Sequence, residues 1–95
     1  MAMIQQYDLV ASPGREEALR RALAELADAV REQHGCSSAE VFVDVSAPAR
    51  FLFVEEWESR SDQTAAGQRL GREAFAPVLA ETSSKPAVRV LTPEA

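Results

Sequence analysis

Phe51-Leu52-Phe53-Val54-Glu55-Glu56-Trp57-Glu58-Ser59 is the stretch that decides how this chain folds. Its first four residues are apolar without a break, so a strand here presents hydrophobic side chains to both sides of its sheet. A sheet with one wet face alternates more cleanly, and both faces of this one therefore have something to cover. Strand parity places Phe51, Phe53, Glu55 and Trp57 on one side and Glu56 on the other. Just upstream, Ala39, Val41, Val43 and Val45 alternate with Glu40, Phe42 and Asp44. That pattern predicts a second strand, joined to the first through a turn at Ser46-Ala47-Pro48-Ala49.

Working outward, Met3 to Ala11 reads as a strand with Met3, Tyr7 and Leu9 on one face and Ile4 and Val10 on the other. Ser12-Pro13-Gly14 ends it, with Ser12 a candidate N-cap and Pro13 a candidate first helical residue. Leu19, Ala22, Leu23, Leu26 and Val30 then recur at helical spacing, an amphipathic helix that Gly35 terminates. A second helix runs from a cap at Ser59–Asp62 to about Leu79. Gly67, Gly71 and Pro77 weaken it, which predicts a break near Gly71 and Pro77 in the first turn of a short second piece. Ala87 to Leu91 forms a last strand. The order βαββαβ is the ferredoxin-like split βαβ arrangement, an α+β fold with an antiparallel sheet and both helices on one face.

Ninety-five residues predict one domain spanning 1–95. A chain this short buries only about 60–65% of its unfolded surface and needs support. Cys36 is the only cysteine and His34 the only histidine, so neither an intrachain disulfide nor a Cys/His zinc site is available. A second copy of the chain, covering the open sheet face, is the leading expectation. Ten basic against fifteen acidic residues give a net charge of −5, which argues against nucleic acid and against an anionic membrane surface as partners. No basic and apolar leader and no apolar run of spanning length are visible, so the expected location is cytoplasmic.

For chemistry, His34 is the only conventional base for a nucleophile, and it falls in the turn after the first helix, an ordinary surface position. Cys36 reads as a small buried apolar residue. Gly67 and Gly71 do not make a phosphate-cradling loop. Glu55 and Trp57 are more informative. A carboxylate facing inward among apolar residues has a raised pKa and can accept a proton. The competing reading makes Trp57 core and pairs Glu55 with Arg69, Arg72 or Arg89.

Ser12-Pro13-Gly14 before a helix, Gly35-Cys36 after it, the Glu-x-Trp of Glu55 and Trp57, and the closing Pro86-Ala87-Val88-Arg89-Val90-Leu91 together resemble the antibiotic biosynthesis monooxygenase family. The resemblance implies a dimeric α+β barrel, in which two sheets close face to face, with a pocket between sheet and helices. It also implies an enzyme without a cofactor or metal, a monooxygenase that oxidises an aromatic phenol or quinol to a quinone with O2. In that reading Trp57 lines the substrate, Tyr7 and Gln68 offer hydrogen bonds, Arg72 holds the phenolate oxygen, and Glu55 or a bound water handles the proton. Many members carry a histidine about ten residues after this tryptophan, the axial ligand in haem-degrading relatives. Here Ala65-Ala66-Gly67-Gln68-Arg69-Leu70 holds none, which argues against haem degradation. The alternative on the same scaffold is a non-catalytic module that binds a small molecule.

Overall fold

A computed structural model of the chain describes residues 2–94. Its elements are β1 (Met3–Val10), α1 (Glu16–Arg31), β2 (Cys36–Asp44), β3 (Ala47–Trp57), α2 (Arg60–Leu79) and β4 (Ala87–Leu91). The strands form one four-stranded sheet in the order β2-β3-β1-β4, antiparallel at every pairing. This is the predicted βαββαβ, ferredoxin-like α+β fold. Trp57 pairs with Met3, Phe53 with Tyr7 and Phe51 with Leu9 across β3 and β1. Directly opposed residues share a sheet face, so these side chains make one surface. It packs against Leu19, Leu23, Leu26 and Val30 of α1 and Ala66 and Val78 of α2 in a single core.

The periodicity of α1 is borne out, but its start is not at Ser12. Gly14 adopts φ +79°, outside the helical region, and the Arg15 N–H closes a turn on the Ser12 carbonyl at 2.9 Å. The helix begins beyond that turn, with Arg15 as N-cap and no side-chain cap. The turn between β2 and β3 is also shorter than Ser46–Ala49. Asp44 Oδ1 accepts the Ser46 N–H at 2.8 Å, which closes the chain at Val45–Ser46. Ala47 to Arg50 are then absorbed into β3, Pro48 to Arg50 forming a bulge between the Val43–Phe51 and Asp44–Ala47 pairs. Val45 consequently leaves the strand and stands 95% exposed.

Ser59 caps α2 as predicted, its hydroxyl accepting the Asp62 N–H at 3.1 Å. The break at Gly71 is present too, at φ 68°, ψ −179°. That backbone conformation is essentially closed to residues with a Cβ. Pro77 falls in the second turn of the piece after the break, not in its first. Gly35, at φ +86°, sits in the turn after α1, and its carbonyl accepts the Glu58 N–H at 2.8 Å. This bond ties the entry of β2 to the exit of β3. At the other end of the sheet, Ser12 N–H reaches the Glu81 carbonyl and Ser83 N–H the Val10 carbonyl, each at 2.9 Å. Those bonds fix the segment that leads from α2 into β4.

Ile4, Val10, Phe42, Leu52, Val54 and Leu91 occupy the sheet face turned away from the helices, by the same register. Phe42 is 52% exposed there.

Candidate active site

The parity read from the sequence places Phe51, Phe53, Glu55 and Trp57 on the helix side of β3, and all are buried. Glu55 is 2% exposed and is the one buried charged side chain among the described residues. It opposes Gln5 on β1 and Ala39 on β2. No arginine reaches it. Its partner is the next residue on the same face, Trp57, whose Nε1–H donates to Glu55 Oε1 at 2.9 Å. Burial pushes the Glu55 carboxyl from the ordinary 4.5 up to about 7, and the Trp57 hydrogen bond offsets only part of that rise. A carboxyl titrating near neutrality is equipped both to take and to return a proton.

On β1, Gln5 and Tyr7 are neighbours on the same face, and Gln5 Nε2 donates to the Tyr7 hydroxyl at 2.7 Å. The phenol oxygen thus accepts from Gln5, and its own proton is left to donate elsewhere. Burial, the negative charge of Glu55 and, against them, the Gln5 bond set the Tyr7 pKa well above its ordinary value. Tyr7 is therefore a neutral hydrogen-bond donor, not a base. Its ring stacks on Phe53 at 5.6 Å and meets Phe75 at 6.2 Å. Cys36 is half-buried rather than buried. Partial burial and the Glu55 charge raise its thiol pKa, which disfavours the reactive thiolate.

A cavity of about 340 Å³ opens between the sheet and the helices, a volume at the small end of ligand sites. Tyr7 and Phe53 line it from the sheet, Leu23 and Leu26 from α1, and Phe75 and Val78 from α2. Tyr7 is the one predicted site residue on its wall. Glu55 lies one and Trp57 two same-face steps beyond Phe53, both buried and outside the lining. Gln68 and Arg72 are exposed on α2 and do not line the cavity either. Nearby Arg69 instead donates through Nε to Gln33 at 3.0 Å. The structure thus brings Glu55 and Trp57 together as a pair, sets Tyr7 beside the cavity, and leaves Gln68 and Arg72 apart.

Sequence reasoning passed over Gln5, although its parity with Tyr7 on β1 was available as a signal. Phe75 and Lys85 on the cavity wall had no comparable signal. His34, with 87% of its side chain exposed, lies 3.8 Å from Asp62 and activates no nucleophile. Among the described residues no group of three or more His, Cys, Asp or Glu side chains is placed to hold a metal. Among the described residues no helix is long and apolar enough to cross a membrane.

Residues 3–77 match the sequence profile of the antibiotic biosynthesis monooxygenase family. No curated protein matches the chain in sequence. Among solved structures, a conserved protein from Methanosarcina mazei superposes with a TM-score of 0.90 at 13% identity, over 99% of this chain and 94% of the other. Rv0793 from Mycobacterium tuberculosis gives 0.86 at 19% identity, covering 100% and 97%. PA3566 from Pseudomonas aeruginosa gives 0.83 at 21% identity, covering 99% and 95%. At these identities the likeness shows the fold.

Proposed function

The chain belongs to the antibiotic biosynthesis monooxygenase family, and from that premise we propose that it oxidises an aromatic phenol or quinol to a quinone with O2, without a cofactor. The observation that carries this reading is the apolar cavity with the unspent Tyr7 O–H on its wall and the proton-accepting Glu55 close behind. An apolar, water-poor cavity suits a flat aromatic substrate and strengthens each polar contact made inside it. Tyr7 donates to the substrate oxygen and stabilises the phenolate, while the proton passes by way of a bound water to the Glu55 carboxylate, which does not itself line the cavity. Trp57 holds Glu55 in place through Nε1–H. No part is assigned to Gln68 or Arg72.

The steps balance with O2 as the only oxidant. The phenolate gives one electron to O2, and the phenoxyl and superoxide radicals join at a ring carbon as a peroxide. The O–O bond then breaks as that carbon loses its hydrogen as a proton. One oxygen stays as the quinone carbonyl and the other leaves as water, taking that carbon's proton and the proton the phenol gave up.

The protein acts in this proposal as a homodimer, its partner covering the apolar sheet face of Phe42, Leu52 and Val54. A second reading, a module that binds an aromatic ligand without oxidising it, is favoured by one observation: Glu55 and Trp57 are absent from the cavity lining.

Incubation with dihydroxyanthracenes and naphthoquinols, aerobic and anaerobic, separates the two. The oxygenase reading expects O2 uptake above the autoxidation rate, and a fall in kcat/KM of about 100-fold for Tyr7→Phe or Glu55→Gln, the usual contribution of one oxyanion donor or one placed proton acceptor. Tight binding with no O2 uptake establishes the second reading instead.

A further inference from the structure

Among the residues lining the cavity only one bears a charge, and it is Lys85. It belongs to the short segment between α2 and β4, which the Ser83 N–H bond to the Val10 carbonyl holds against the end of β1. Lys85 is exposed, and among the described residues it makes no ion pair. The acid close to it in sequence, Glu81, is already engaged by Arg15 through two hydrogen bonds of 2.8 and 3.1 Å. In a chain with a net charge of −5, an unpaired cation at the rim of an apolar cavity is a local inversion of sign. The surrounding field repels anions generally, and this point attracts one.

The two polar groups of the cavity are set apart along β1. Tyr7 pairs with Val88 and Asp8 with Ala87, whereas Ser83 already bonds to Val10 and Thr82 bridges to Ala11, so Ser84, Lys85 and Pro86 bulge opposite Leu9. Two strand residues separate Leu9 from Tyr7, roughly 7 Å at the rise of a strand. The Tyr7 hydroxyl leans the other way, toward Gln5. A ligand that engages both groups has an aromatic body with one oxygen at the Tyr7 end and an anionic oxygen at the Lys85 end.

We propose that Lys85 is a specificity-determining residue of this cavity, and that its ligand is a fused-ring aromatic acid whose carboxylate sits on Lys85 while its ring enters between Phe53 and Phe75. A carboxylate suits this end better than the phenolate. At the exposed rim a carboxylate keeps part of its hydration, whereas the reacting oxygen belongs inside, beside Tyr7. The substrate class rests on the oxygenase reading. The ligand class does not, because it concerns binding alone.

The test compares two probes of similar size, 6-hydroxy-2-naphthoate, whose hydroxyl and carboxylate lie at opposite ends of the ring system, and neutral 2-naphthol, by equilibrium titration of Tyr7 or Trp57 fluorescence without turnover. The wild-type protein is expected to bind the acid about fivefold more tightly than the naphthol, the effect of one partly exposed ion pair. Raising the salt concentration should shrink that preference. Lys85→Met should abolish the preference while leaving naphthol affinity unchanged, and Lys85→Arg should retain it. Equal affinity of the wild type for both probes, binding of neither, or a preference that survives in Lys85→Met overturns the proposal. Preferential binding of the acid with no O2 uptake upholds Lys85 as the selector and defeats only the oxygenase reading.

Discussion

Replacing Glu55 with glutamine should stabilise the protein, and by an amount that depends on pH in a defined way. The folded carboxyl titrates at about 7 against the ordinary 4.5. Below pH 4.5 it is protonated in both the folded and the unfolded chain, and it contributes no pH dependence. Between 4.5 and 7 the unfolded chain releases the proton while the folded protein keeps it, so stability falls as pH rises. Above 7 both states are ionised and the loss levels off. Integrated across that window, the loss is about 3 kcal/mol, a large share of what holds a small domain together.

Glu55→Gln keeps an oxygen to accept the Trp57 N–H and removes the ionisation. Urea unfolding of both proteins, at one protein concentration and from pH 4 to pH 8, reads the difference directly. The variant should gain about 3 kcal/mol on the wild type between the two ends, with most of the change between pH 5 and 7. A difference that stays flat across this range would show that Glu55 titrates normally, and the proton-acceptor role assigned to it would fall with the raised pKa.

Trp57→Phe deletes the N–H that stabilises the ionised Glu55. The Glu55 midpoint should rise above 7, followed by the infrared carboxyl band, and trimming this buried ring should cost roughly 2–4 kcal/mol in urea unfolding. Gly71→Ala forces a Cβ onto φ 68°, ψ −179° with no neighbouring atom in the way. The cost, about 1–3 kcal/mol, is then backbone strain alone, and an unchanged denaturation midpoint would mean the break is absent in solution. Phe42→Glu charges the sheet face opposite the helices without touching the core. If the proposed homodimer forms through this face, sedimentation should move from twice the chain mass to the chain mass, while the variant keeps its circular dichroism.

What was legible in the sequence follows from the range over which each signal acts. Leu19, Leu23, Leu26 and Val30 announced α1 because helical spacing is local, and the parity of Phe51, Phe53, Glu55 and Trp57 followed from the pleat alone. The same logic failed at Ser12 and at Ser46–Ala49. At those two places a single hydrogen bond, from Arg15 to Ser12 or from Ser46 to Asp44, chose one turn among several that the residues allow. Gln68 and Arg72 were placed by the resemblance alone, which says nothing of the phase of α2. Gly71 extends the backbone between them, so the phase of the first piece does not carry into the second, and it is Phe75 and Val78 that reach the cavity. Lys85 was invisible for another reason. Its importance lies in the company of Tyr7, at the far end of the chain, which only the β1–β4 pairing creates.

The break at Gly71 divides the labour of the second helix. The piece before it is anchored by Ser59 and contributes Ala66 to the core, whereas the piece after it supplies Phe75, Val78 and Leu79 to the cavity. One wall of the chamber is therefore encoded in a single eight-residue stretch, 72–79, and acid–base character in the strands. Substitutions in that stretch can enlarge, narrow or reshape the chamber while the Gln5–Tyr7 and Glu55–Trp57 hydrogen bonds stay as they are. A lineage using this architecture has a route to new ligands in which selectivity drifts and the proton chemistry is inherited unchanged.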